Sequence, residues 1–461
     1  MKSSNRISAL LWADILVAFA LFVMQDYLTD VWNLSFTHAA GILNIWNGLS
    51  LILQPFFLIL VDCVLGNFAM LVVSSTAYSV GIGLVTMSTP PVLGTCNRYE
   101  EQCIGHTQKV LFYSGMALIA VGVAGNNVSV KPFLEEQEER EGGPNLYVKL
   151  VGAVFVVVVA LTGAIALPYI KPWTLRFGIP AICTVVATVL FLTGLCCWHY
   201  TNNVADRSRL RSLCRVRMIP MLTTFVFCGL VSSIGNTYFV EQAKNLDRHL
   251  GKWNVPPQVL LLVQKGVSAA LEHGNAAAPA PAPGRAQTGR YQTNVQPRTT
   301  PTRGKGVLMA VMAVASAILC CITAARMEFK RIGVVERRGL LDDEDGDVPM
   351  SIFWLIFQFI FLGCLDKLLE KSVAIFNEVE FGDDENEGRY ADNLAKGVSG
   401  LGYMCGVLSV FVVGEVSGRG GHQSWFQDTL NTSRLDRYYW VLAALGSVNL
   451  LLYSLLSCFN C

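Results

Sequence analysis

The strongest constraint in this chain is a series of stretches, each about twenty residues long, with no charged side chain. Lipid offers a backbone no hydrogen-bond partner, so a segment that crosses it must be a helix satisfying its own N–H and C=O groups. Residues 110–130, 150–170, 177–198, 218–240, 306–325 and 438–458 are such stretches. Residues 31–61 and 63–97 also lack Asp, Glu, Lys and Arg, and each holds one span plus a turn. Residues 7–27, 351–376 and 394–414 are spans with some charge, and 255–270 is short and broken by Lys265. The pattern predicts about twelve crossings with the eighth incomplete. Composition agrees: 15% of residues are charged, against about 25% in soluble domains.

The balance of 35 basic and 34 acidic residues points to no nucleic-acid partner. The first apolar stretch lacks a cleavage pattern and reads as a retained span. Most of the 14 cysteines lie in apolar runs, where thiols pack as small hydrophobes. Cys96 and Cys103 lie in a polar loop and are a candidate disulfide if that loop faces outside. No metal-ligand cluster, Walker loop or convincing Ser-His-Asp set is present, so neither a metal nor another cofactor is expected, and an enzyme ranks last.

The basic segment 199–217 follows the sixth span, which divides the chain six plus six. The expected plan is an N-terminal bundle at 1–198, a cytosolic linker at 199–217 and a C-terminal bundle at 218–461. An Ala/Pro/Arg-rich segment, 274–305, interrupts the second bundle and is too polar to order itself. The basic loops place both termini in the cytosol. Asn33 and Asn431, each in an Asn-x-Ser/Thr triplet, then fall outside.

Several stretches resemble the plant nitrate and peptide transporter family, part of the proton-dependent oligopeptide transporters of the major facilitator superfamily. They are YLTDVWNLSFTHAAGILNIWNG near the start, W-x-LRFGIPA at 173–181, NTYFVEQAKNLDRHLG at 236–251, FWLIFQFIFLG at 353–363 and SWFQDTLNTSRLDRYYWVLA at 424–443. The resemblance implies an all-α membrane fold of two six-helix bundles around a central site. It also implies an inner gate in the turn after the second helix, where Asp62 and Gly66 match and Asn67 replaces the usual arginine. That replacement is expected to weaken the lock. The family's coupling pattern E-x-x-E-R/K falls on Leu10, Ala13 and Asp14. A usual basic residue of the fourth helix falls on Asn127, and a usual glutamate of the tenth on Ile375.

Each ionisable residue inside a span costs at least about 2.5 kcal/mol and needs a reason. Asp14 either lines the cavity, carrying a proton or cation, or pairs with Arg6. Lys131 lies one turn from Asn127; it either relocates the missing cation or snorkels toward the acids at 135–141. Asp366 and Glu370 share a helix face and form either a proton-carrying pair or an ion-pair cluster with Lys367 and Lys371. Glu241 and Gln242 end the seventh helix, either at a gate or at a wet interface.

The expectation is a multi-pass plasma or vacuolar membrane protein. It carries small polar or anionic solutes by alternating access, with weak proton coupling, and its partners are the bilayer, the solute and, where coupling persists, protons. The alternative is a non-transporting scaffold copy of the family, suggested by the lost coupling residues and the interrupted eighth span.

Overall fold

A computed structural model describes residues 3–90, 92, 104–140, 146–196, 219–273, 303–341, 348–381 and 385–459. Cys96, Cys103, the segments 199–217 and 274–302 and the acidic run at 342–347 lie outside the described residues. The first six crossings are α1 (Ser3–Phe22) with α2 (Met24–Asp30), α3 (Phe36–Leu60), α4 (Gly66–Ser88), α5 (His106–Arg140), α6 (Leu146–Leu161) and α7 (Trp173–Cys196). The next six are α8 (Ile219–Gly235) with α9 (Tyr238–Lys244), α10 (Gln258–His273), α11 (Arg303–Arg338), α12 (Ile356–Phe381), α13 (Glu385–Ser417) and α14 (Leu435–Phe459).

Ten stretches among the described residues are long and apolar enough to span a bilayer. One of them, Phe36–Ser88, holds two passes. A single helix of its 53 residues would be about 80 Å long, against about 30 Å of hydrocarbon. The chain reverses through a wide turn at Val61–Leu65 and Gly66, whose φ of 73° suits a residue without Cβ. The remaining helix, α10, stands eighth in chain order; its described residues are Gln258–His273, and the segment that follows lies outside the described residues. The helix after it begins at Arg303, so residues 303–305 of the expected linker are helical.

Each half has its own core. Tyr27 packs against Trp173 and Phe177 at 5.3 and 5.4 Å between ring centres. In the second half Phe239 meets Phe359 at 6.1 Å and Tyr439 at 5.9 Å. The halves meet along α3 and α13, which run antiparallel with Gly48 against Gly400 and Pro55 against Gly397. They meet again where Leu261 of α10 packs on Phe19 and Ala164. Outward faces of α6 and α14 expose Val154, Val157, Leu451 and Leu455, an apolar surface suited to lipid tails.

Short strands close one end. β1 (Leu246–Asp247) pairs in parallel with β4 (Val348–Ser351), and β2 (His249–Leu250) pairs antiparallel with β3 (Trp253–Asn254). His249 donates its backbone N–H to Asp247 at 3.0 Å and sets its ring nitrogen 2.9 Å from the same oxygen. Those hydrogen bonds hold the Asp247 carboxyl below its ordinary range.

Candidate functional site

Three groups of polar side chains stand out, two of them across the junction of the halves and the third within the halves. The first joins α2 to α9. The Gln25 side-chain amide donates to Glu241 at 3.1 Å, and Lys244 ion-pairs with Asp30 while donating to Thr29 Oγ1 at 3.0 Å. Glu241 and Lys244 are three apart, so they share the helix face that meets α2. A strap adds to this latch: the Tyr169 hydroxyl, from the first half, donates to the Asn254 carbonyl at 2.7 Å and accepts from the Trp253 indole at 2.5 Å. Above the latch lies a cavity of about 730 Å³ lined by Asp30, Asn33, Glu241, Lys244, Arg248 and Asp428, among others. The wet interfacial reading of Glu241 and Gln242 gives way here, since both are buried.

The second group closes the opposite end. Arg389, at the start of α13, sets its guanidinium 3.8 Å from Asp62. It donates to Asn67 Oδ1 at 3.0 Å and to the Val128 carbonyl at 2.8 Å. Asn67 in turn donates to Glu136 at 3.3 Å. Where the resemblance implies an arginine at position 67, the structure brings a cation from the other half, Arg389, against Asn67. Asn67 uses its oxygen to accept from Arg389, which an arginine side chain has no acceptor to do. Asn127 and Lys131 are exposed on α5, one turn apart.

The third group lies between these ends. Asp366 accepts from Ser232 at 3.3 Å and from Gln264 at 2.8 Å, joining the seventh, eighth and tenth crossings. Glu370, one turn on, turns to Lys367 at 3.0 Å, which also reaches Glu272 at 3.4 Å. The two carboxylates therefore have separate partners. Asp14, on α1, is half-buried and accepts from the Tyr78 hydroxyl. Among the described residues no cluster of His, Cys, Asp and Glu has the geometry to hold a metal.

Sequence reasoning missed Arg389, Lys244 and Gln25. The only local hint of Arg389 is its place just after the acids at 378–387, where a lone cation invites an acidic partner. Lys244 and Asp30 are 214 residues apart, and no local pattern joins them.

The Asn431 triplet also reads differently in three dimensions. Asn431 is buried, its oxygen accepts from Arg331 at 2.7 Å, and its amide donates to the Leu340 carbonyl at 3.2 Å. Folded protein leaves no free amide there for a glycan. Asn431→Gln is expected to lower the yield of folded protein without changing the electrophoretic mobility that glycosidase treatment probes. A mobility shift on that substitution would show that the position is glycosylated.

Comparison with known proteins agrees with this architecture. A profile of the POT family matches residues 68–219. The chain is 32% identical to Protein NRT1/PTR FAMILY 5.5 of Arabidopsis thaliana, over 97% of this chain and 94% of that protein. It is 25% identical to NRT1/PTR FAMILY 5.16 of the same plant, over 94% and 87%. The first alignment runs over 531 positions against a chain of 461 residues, so the relative carries insertions that this chain lacks. Among solved structures, an auto-inhibited POT family peptide transporter superposes with a TM-score of 0.65 at 14% identity, covering 98% of this chain and 96% of that one. The nucleoside transporter NupG superposes with a TM-score of 0.63 at 11% identity, covering 98% of each. These two share the major facilitator fold, and the two Arabidopsis relatives carry the family assignment: the chain belongs to the NRT1/PTR branch of the POT family and is a multi-pass membrane transporter.

Proposed function

We propose that this transporter moves small polar or anionic solutes by alternating access, mainly as a facilitative carrier. Residues 1–198 and 218–461 move as two bodies joined by 199–217. The termini and the Asp62–Arg389 end face the cytosol, in a plasma or vacuolar membrane. One observation carries the reading: the halves are latched at both ends by hydrogen bonds and ion pairs rather than by apolar packing alone. Such contacts exchange for water with little net change in free energy, about 0.5–1.5 kcal/mol each when neutral and 1.5–3 kcal/mol when charged. Either end can then open while the other holds.

The facilitative part rests on Leu10, Ala13 and Ile375, which cannot carry a proton where the family's coupling glutamates stand. The separate partners of Asp366 and Glu370 support it further, because a carboxylate pair must share a site to trap a proton between them. Uptake of nitrate, dipeptides and organic anions into oocytes or proteoliposomes tests this reading at acidic and neutral outside pH. Wild type is compared with Glu241→Gln, Asp366→Asn and Glu370→Gln. The expected result is flux of at least one solute class that changes little with pH. No flux from correctly inserted protein would overturn the transport of these solutes. Steep acid stimulation, abolished by one of the three substitutions, would overturn the facilitative part and identify the coupling group.

A further inference from the structure

We infer that the buried Glu328–Arg331 pair on α11 is an anchor for the gate segment α9, acting through Gln242. The segment needs one. It has seven residues, far fewer than a helix requires to be stable by itself. It is also cut from α8 at Thr237, whose φ of −127° and ψ of −71° break the helical run. Each face of α9 has a separate task. Glu241 and Lys244 face α2 across the junction of the halves. Tyr238 packs on Phe36 and Phe426, and Phe239 on Phe359 and Tyr439. Gln242 points inward, and its amide donates to Glu328 Oε2 at 2.7 Å, with the Tyr439 hydroxyl at 3.4 Å.

The pair itself is an expensive way to pack a helix. Glu328 and Arg331 are each 1% exposed, and removing two charges from water costs several kcal/mol per ion. Apolar residues of similar volume would seal α11 at lower cost. What the pair supplies is directional contact with other segments. Arg331 binds Glu328 twice, at 2.9 and 2.7 Å, and donates two further hydrogen bonds, to Asn431 at 2.7 Å and to the Leu430 carbonyl at 2.8 Å. Glu328 receives Gln242. One buried ion pair thus ties α9 and the Leu430–Asn431 segment to α11. With α9 fixed to the second half, opening breaks its contacts with Gln25, Asp30 and Thr29 and leaves the helix in place to re-form them.

Hydrogen–deuterium exchange on the full-length protein in lipid nanodiscs tests the anchor without any solute. The inference rests on α9 being the gate, yet exchange reports on α9 directly, so failure of the anchor and failure of transport are told apart. Gln242→Leu cuts the link and leaves the ion pair whole. Its expected signature is exchange of the α9 amides about tenfold faster than wild type, the size expected for one lost hydrogen bond to a charged group. Exchange in α12 and the unfolding temperature should stay near wild type. Glu328→Leu combined with Arg331→Met removes both charges together and should free α9 similarly. If the pair serves only to pack α11, Gln242→Leu will leave α9 exchanging at the wild-type rate, and that result overturns the inference. Gln242→Leu decides the matter alone if the double variant is not recovered folded.

Discussion

Gly402→Leu is expected to abolish the folded transporter. A Cβ at Gly402 of α13 would lie 2.2 Å from the Val226 carbonyl and 2.8 Å from the Gly229 Cα of α8. The reverse contact is as tight, since a Cβ at Gly229 would lie 2.1 Å from the Ser399 carbonyl. All of these neighbours are backbone atoms, so no rotamer change relieves the clash and the two helices must move apart. Overpacking a core typically costs about 1–3 kcal/mol, and separating two backbones along a shared face lies beyond that range. Total stabilities are only about 5–15 kcal/mol. Fluorescence-detected size-exclusion chromatography of the full-length protein in detergent is the measurement, with loss of the monodisperse peak expected. Gly83→Leu is the control, because a Cβ there meets nothing within 4 Å, and its profile should match wild type. A wild-type profile for Gly402→Leu would mean that α8 and α13 do not pack this closely.

Arg389→Ala is expected to release the gate at the Asp62 end. The substitution removes one guanidinium and with it the contacts to Asp62, Asn67 and the Val128 carbonyl. A hydrogen bond to a charged group contributes about 1.5–3 kcal/mol, so losing this set should raise the population open at that end by at least about tenfold. Cys63 is a free, half-buried thiol next to Asp62 and serves as a native reporter. Its modification rate, read by peptide-resolved mass spectrometry on purified full-length protein, should rise by about the same factor. Uptake should fall, because a carrier that rests open at one end returns less often to the other. Arg389→Lys keeps the charge but not the fork that reaches several acceptors at once, and should lie between. Unchanged Cys63 reactivity in Arg389→Ala would show that the contacts across this end contribute nothing to closure.

Membrane residence, the number of crossings and the family were legible in the residues. A helix in lipid must satisfy its backbone within itself, so uncharged length is a local property that a linear reading detects. The turn at Gly66 was legible through the resemblance, which matched Asp62 and Gly66 to the turn after the second helix.

Partner choice was not legible. Whether Glu241 sits in water or in a buried latch depends on where α2 lies, and Gln25 is 216 residues away. Glu370 has an acid four residues before it and a lysine three before it, and the helix face alone allows either neighbour; packing gave it Lys367 and left Asp366 to Ser232 and Gln264. Asn67 looks like a lost gate residue until Arg389 arrives from the far end of the chain to use its oxygen. Asn431 looks like an exposed acceptor until Arg331 and Leu340 enclose it. Apolar burial is non-directional and leaves its trace in composition. A polar contact requires two particular atoms within about 3 Å, and only the packing of helices distant in sequence decides which atoms those are.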